Sequence, residues 1–252
     1  MSSITIDLTE LRTLLNRVVP FAMQDKYGGL PVLQSIHLEG KGGYLLATAT
    51  DRYILGISRT KVEGADGFQA LVKLKDVRHI LATFKSRKGI ITSVTLTTSG
   101  STADGNNLTV TLADGMFADA DDLTARYGLI DGEFPKIAKL FTEWQPPTEV
   151  AGTGYNPAYL ARFAHVADNR NVPVKVTPGS ISGSAGGKSF ATIVQAGDYF
   201  LGAIMPVRLG AETVGDVADW TAMYAEPKPA ARKAPAKKTA AKPSTRAKKT
   251  AA

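Results

Sequence analysis

LPVLQSIHLEGKGGYLLATATDRYIL, residues 30–55, alternates apolar and polar positions on either side of a glycine cluster. His37-Leu38-Glu39 and Tyr44-Leu45-Leu46-Ala47-Thr48 read as two strands, and Gly40, Gly42 and Gly43 mark a hairpin turn between them. A third strand is expected over 52–60. Upstream, Ile4-Thr5-Ile6 alternates. Residues 8–19 then carry apolar side chains at 8, 11, 14, 15, 18 and 19, the spacing of an amphipathic helix, with Asp7 or Thr9 as its cap. The order is strand, helix, three strands.

The same order recurs twice. A strand over 68–72 precedes a helix over 75–85, whose Val77, Ile80, Leu81 and Phe84 share one face; strands follow at 91–97, 108–112 and 124–130. The last copy begins near Glu149-Val150-Ala151. Pro157, after Asn156, starts a helix carrying Leu160, Phe163, Ala164 and Ala167, and strands follow at 172–177, 190–195 and 199–204. One helix against several short strands, without parallel-crossover spacing, predicts an α+β fold. Repeated β-α-β-β-β units would form antiparallel sheets with helices on one face. A lone unit cannot bury its sheet face, so stacked copies must share a core.

The net charge of +7 over 252 residues is unevenly placed. Residues 226–252 hold nine basic side chains against Glu226, which leaves 21 basic and 22 acidic groups in residues 1–225. The tail is Ala, Lys, Pro and Thr without a large apolar residue, a composition that stays disordered. Its lysines suit nonspecific phosphate contact with DNA; a dispensable solubilising extension is the alternative. With no cysteine, disulfides, zinc–thiolate sites and thiol nucleophiles are excluded. The sequence has neither a run of about 18 apolar residues nor an export signal, so a cytoplasmic protein with no membrane contact is expected.

Each helix pairs its apolar stripe with a basic or amide one: Arg12, Asn16 and Arg17; Lys75, Arg78 and Lys85; Arg162, His165 and Asn169. Helices of this kind lining a concave surface would follow phosphates without reading bases. No catalytic constellation emerges, so an enzyme is not expected. The segment Ser182-Gly183-Ser184-Ala185-Gly186-Gly187-Lys188-Ser189 lacks the first glycine and the following helix of a phosphate-binding loop, and reads as a hairpin turn. His37, His79 and His165 lack metal-ligand spacing, and Asp119, Asp121 and Asp122 lack the glycine and final glutamate of a calcium loop. No metal or cofactor is expected.

Three strings remain: Ala49-Thr50-Asp51-Arg52-Tyr53, Ile130-Asp131-Gly132-Glu133-Phe134-Pro135 and Ile204-Met205-Pro206-Val207-Arg208-Leu209. In this order they resemble the beta sliding clamp family of bacterial replicases, rings that encircle DNA and tether a polymerase. The resemblance implies a DNA clamp fold and a processivity factor. It implies a hydrophobic cleft that takes a short linear peptide from a polymerase or clamp loader, and a homo-oligomeric ring around double-stranded DNA. Carried over by position, the cleft would use Thr50, Tyr53 and Leu55, then Pro135, Lys139 and Leu140, then Met205, Pro206, Val207 and Arg208. Arg12, Arg17, Lys75, Arg78, Lys85, Arg162 and His165 would face DNA.

The sequence departs from the family pattern. Arg52 stands where the family has a small residue, the tail follows the usual terminus, and 135–149 leaves no room for a further unit. The expected division is a clamp domain of two units (1–130), a connector (131–147), a shortened second clamp domain (148–210), a linker (211–225) and the basic tail (226–252). A ring of three or of four chains would then close head to tail. The competing reading is a non-ring DNA-binding or recruitment protein that relies on its tail.

Overall fold

A computed structural model describes residues 2–24, 30–86, 92–101, 105–113, 123–145, 153–167, 171–181 and 189–207. The first unit is strand β1 (Ser2–Asp7), helix α1 (Leu8–Val18) and strands β2 (Ser35–Lys41), β3 (Tyr44–Thr50) and β4 (Ile54–Lys61). Asp7 caps α1: its carboxylate accepts from the backbone N–H of Thr9 at 2.7 Å and of Glu10 at 3.1 Å. Such a cap contributes about 1 kcal/mol. Gly42 and Gly43, at φ 60° and 75°, form the β2–β3 turn, where two successive left-handed residues match the twist of the strands.

The second unit is β5 (Gln69–Lys73), α2 (Leu74–Thr83), β6 (Ser93–Ser101), β7 (Gly105–Ala113) and β8 (Leu123–Gly128). The two units exchange their first strands. β1 pairs with β6 in a four-stranded sheet of order β1-β6-β7-β8, and β5 pairs with β2. Neither unit is therefore complete alone. α1 packs on β3 and β4, and α2 on β5 and β2. Leu11, Leu14, Leu15 and Val18 meet Leu45, Ala47 and Ala49 in one buried core.

The last segment contains α3 (Ala138–Thr142), β9 (Trp144–Gln145), α4 (Pro157–Leu160), β10 (Val174–Ile181), β11 (Ser189–Ala196) and β12 (Phe200–Ile204). Asn156 caps α4 through Ala158 N–H at 2.9 Å. The helix expected to continue to Ala167 instead tightens into a 3-10 turn over Ala161–His165. Phe163 and Val166, the buried residues here, lie three apart, the repeat that a 3-10 turn stacks on one side. The strand expected at Glu149-Val150-Ala151, the glycine-rich turn from Ser182, the acidic cluster at 119–122 and everything from Arg208 onward lie outside the described residues.

β12 pairs antiparallel with β4, from Ile204 opposite Ile54 to Phe200 opposite Ser58. This joins the first and third units into one eight-stranded sheet of order β5-β2-β3-β4-β12-β11-β10-β9. At the joint Gly56 lies opposite Gly202. A Cβ at Gly56 would stand 2.6 Å from the Phe21 ring, and one at Gly202 would stand 2.7 Å from that of Phe163. The bare backbones admit Phe21, Phe163 and Phe200, whose ring centroids lie 4.9 to 6.3 Å apart. On the opposite face, Ile137, Leu140, Phe141 and Trp144 cover Leu55, Ile193 and Ala203 in a second apolar cluster.

Candidate functional site

The β3–β4 turn is built by its own side chains. Thr50 donates its hydroxyl to the Ile54 carbonyl at 2.7 Å and accepts from Arg52 N–H at 3.2 Å. Asp51 Oδ1 accepts from the N–H groups of Tyr53 and Ile54, both at 3.1 Å. The loop places Arg52 at φ 85°, in the left-handed region that favours glycine. Asp51 Oδ2 pairs with Arg162 at 2.8 Å, and Arg162 also donates to the Pro20 carbonyl at 3.2 Å. A carboxylate from the first unit and a guanidinium from the third thus clamp the sheet joint at this end.

Beside the clamp lies an apolar ledge. Tyr53, 58% exposed, stacks on Tyr159 with centroids 5.9 Å apart and planes at 17°. The Arg162 guanidinium lies 5.0 Å from the centre of the Tyr159 ring. Met205 N–H donates to the Tyr53 carbonyl at 2.8 Å, and Val207 N–H to that of Gly154 at 2.9 Å. Leu160, Met205 and Val207 are also exposed. Stacked rings, a thioether and branched aliphatics can take an apolar side chain in several poses.

The ten residues expected to form a cleft therefore separate. Thr50, Tyr53, Met205, Pro206 and Val207 meet at this rim. Leu55 and Leu140 meet in the apolar cluster under the connector. Pro135 and Lys139 are exposed on a neighbouring outer groove. Arg208 lies outside the described residues.

Among the residues expected to face DNA, Arg12, Arg17 and Arg162 lie buried or half-buried on internal partners, and for these the sequence reading is revised. Arg12 donates to the carbonyls of Leu81 and Phe84 at the end of α2. Arg17 is buried, its guanidinium 3.9 Å from the centre of the Tyr199 ring and 3.4 Å from Ser58 Oγ. Arg162 serves Asp51. Lys75, Arg78, Lys85 and His165 are exposed, although Lys85 lies past the end of α2 and Arg78 donates to Gln24 Oε1 at 2.6 Å. Asn169 is outside the described residues.

Asp51, Tyr159 and Trp144 carry parts that sequence reasoning missed. The Asp51 signal was available, since an aspartate just ahead of a strand is a ready Asx turn. Tyr159, in α4, falls three residues before Arg162, in the 3-10 turn that follows, but its partner Tyr53 is distant in sequence. Trp144 donates its indole N–H to the Ala191 carbonyl at 3.2 Å and so pins the connector to β11. His37 and His79 serve the fold. His37 stacks on Phe134 at 5.1 Å, and burial holds its imidazole below the usual value against the opposing pull of Glu39. His79 Nδ1 lies 2.9 Å from the Tyr127 hydroxyl, whose own value is raised by burial and then by Asp76. Among the described residues no group of three His, Asp or Glu could hold a metal, and no helix is long and apolar enough to cross a membrane.

The sequence matches no family model and no curated protein. The structure matches solved bacterial clamps. It aligns with the DNA polymerase sliding clamp of Bacillus subtilis at 14% identity and a TM-score of 0.52, covering 82% of this chain and 64% of that one. For a putative DNA polymerase III beta subunit from Eubacterium rectale the values are 13%, 0.59, 82% and 65%. For the beta subunit of Borrelia burgdorferi, solved with a natural product, they are 13%, 0.58, 83% and 65%. The chain has the sliding-clamp fold. It spans just under two thirds of the length of these clamps, and its β4–β12 pairing joins the first and last segments in one eight-stranded sheet.

Proposed function

We propose that this protein is a shortened DNA sliding clamp: a processivity factor that encircles duplex DNA and tethers a polymerase without performing bond chemistry. Residues 1–130 would be a complete clamp domain and 148–210 a half domain. Copies would close head to tail into a ring of three or four in the cytoplasm. The observation that carries this reading is the β4–β12 joint. It continues one sheet from unit to unit while α1 and α2 stay on a single face, the arrangement needed for a sheet-walled ring lined by helices. Lys75, Arg78, Lys85 and His165 are the side chains we assign to phosphate contact.

The ledge at Tyr53, Tyr159, Met205 and Val207 would take the apolar residues of a polymerase or clamp-loader peptide. A bound peptide, together with DNA through the ring, raises the local concentration of polymerase. The test is Tyr53→Ala combined with Met205→Ala, both exposed positions. Polymerase stimulation should fall at least about tenfold, the effect of about 1.4 kcal/mol, with thermal stability and assembly unchanged. Undiminished stimulation would remove the ledge from the account. Leu140 is unsuitable for this purpose, because it packs in the apolar cluster and its truncation would mix folding with binding.

A further inference from the structure

The helix side of the eight-stranded sheet is covered at one end and open at the other. Outward from the β4–β12 joint, β3 and β2 of the first unit answer β11 and β10 of the third. Ile36 and Leu38 of β2 are buried in the main core, where α2 of the second unit packs over β2 and on α1. Val174 and Val176 of β10 stand opposite Ala196 and Val194, and cross-strand partners share a face. Ala196 and Val194 belong to that same core, with Phe163 and Phe200. The two valines therefore point to the helix side, yet they are 36% and 49% exposed.

The helices repeat the contrast. Measured from the caps Asp7 and Asn156, Leu14 and Phe163 hold the same place, and both are buried. Leu11 answers Leu160, and Leu15 answers Ala164. The first of each pair is buried, whereas Leu160 is 41% exposed and Ala164 is exposed. The edge of β10 agrees. β5 lies along β2 from Ser35 to Glu39, but β9 meets β10 only at Ser180 and Ile181, and among the described residues nothing pairs with 174–177 on that side. The third unit thus leaves apolar surface open where the second unit covers the first, and contiguous apolar surface of this kind marks an interaction site. The chain shows once what closes such a face. The first and second units give each other their first strands, a reciprocal contact between units of the same make. The chain's other open end, β8, brings no free helix, because α2 of its unit is already packed on the first. The third unit of a second copy brings the matching face.

We infer that two copies of this chain pair through their third units, with Leu160, Ala164, Val174 and Val176 of one against the same residues of the other. The pair completes between chains the two-unit domain that the first and second units complete within one. Such a contact is isologous. It deepens the ring proposed above and rests on that reading only for closure. A head-to-tail ring of three leaves this face open in every copy. A ring of four covers it when copies meet alternately by this face and by β8.

The chain has no cysteine, so a single introduced thiol reports on one position. In the first domain Arg12 of α1 reaches the carbonyl of Leu81, which stands as far past Lys73 as Ala164 stands past Asn156, so this turn of the helix lies at the contact between units. Ala164→Cys in the full chain, treated with a bismaleimide at micromolar concentration, should give a covalent dimer. Lys41→Cys, exposed at the end of β2, should stay a single chain on a denaturing gel. Val174→Lys with Val176→Lys should abolish the Ala164→Cys cross-link and halve the solution mass of the cysteine-free protein, with unchanged far-ultraviolet circular dichroism. No dimer from Ala164→Cys, an equal yield from Lys41→Cys, or a solution mass of one or three chains would overturn the inference. Were the lysine variant to misfold, the two cysteine variants and the mass would still decide. A chain that never encloses DNA would leave these results unchanged, so failure of the ring and failure of the pairing are told apart.

Discussion

At Asp51 one carboxylate serves two backbone N–H groups and one guanidinium, so a single side chain shapes the turn and ties the third unit to the first. Removing one partner of a largely buried ion pair strands the other, and Asp51→Ala should lower stability by about 3 kcal/mol in denaturant titration. Beside it, Arg52 holds a backbone angle that costs a side chain about 1 kcal/mol; Arg52→Gly should recover that amount and leave the turn in place. His37 provides a pH signature. Its folded value is depressed below the unfolded 6.5, so the unfolded chain takes up a proton that the folded chain resists. The sign follows: this contribution is fully present above about pH 7 and falls away as pH drops through 6.5. Denaturation midpoints at pH 7.5 and 5.5 should differ more for the native protein than for His37→Phe, which keeps a ring against Phe134. At this scale the sequence was only partly legible. Spacing showed that Arg12 and Arg17 border the apolar stripe of α1. It did not show that α2 would offer carbonyls to one and that Tyr199 would cover the other.

The elements themselves were readable where local chemistry decides them. Asp7 and Asn156 cap the helices expected of them, and Gly42 and Gly43 turn the first hairpin. Alternation located most of the strands because one sheet face is buried against helices. What alternation could not supply was partnership. The exchange of β1 and β5 between units and the pairing of β12 with β4 are tertiary choices, and local sequence is silent on them. The connector helix α3 was likewise unexpected, since its Leu140 and Phe141, and Ile137 just before it, gain their burial from an outer sheet face that would otherwise be solvated. The Gly56–Gly202 pair offers the test at this scale. Valine at either position would drive a side chain into the Phe21 or Phe163 ring. Each substitution should cost at least about 2 kcal/mol, as overpacked cores do, while Gly42→Ala, with open space around its Cβ, should cost less and through backbone conformation alone.

At the scale of the whole molecule, the fold is that of the bacterial clamps although the chain shares under a fifth of its residues with them and spans only two thirds of their length. The clamp fold was legible because its three diagnostic strings sit at turns and junctions, where backbone geometry restricts the choice of residue. The proposed assembly was not legible, because ring closure would depend on edges that meet only between chains. β8 ends the four-stranded sheet with no further strand beside it among the described residues, and it exposes Leu123 at its start. Such an edge is a natural joint for a second copy. The direct measurement is retention on DNA of two topologies. Purified full-length protein, loaded on nicked circular plasmid, should stay bound through high-salt gel filtration and leave at once when a restriction enzyme linearises the plasmid, with a solution mass of three or four chains. A monomer that is lost equally from circular and linear DNA would contradict the account.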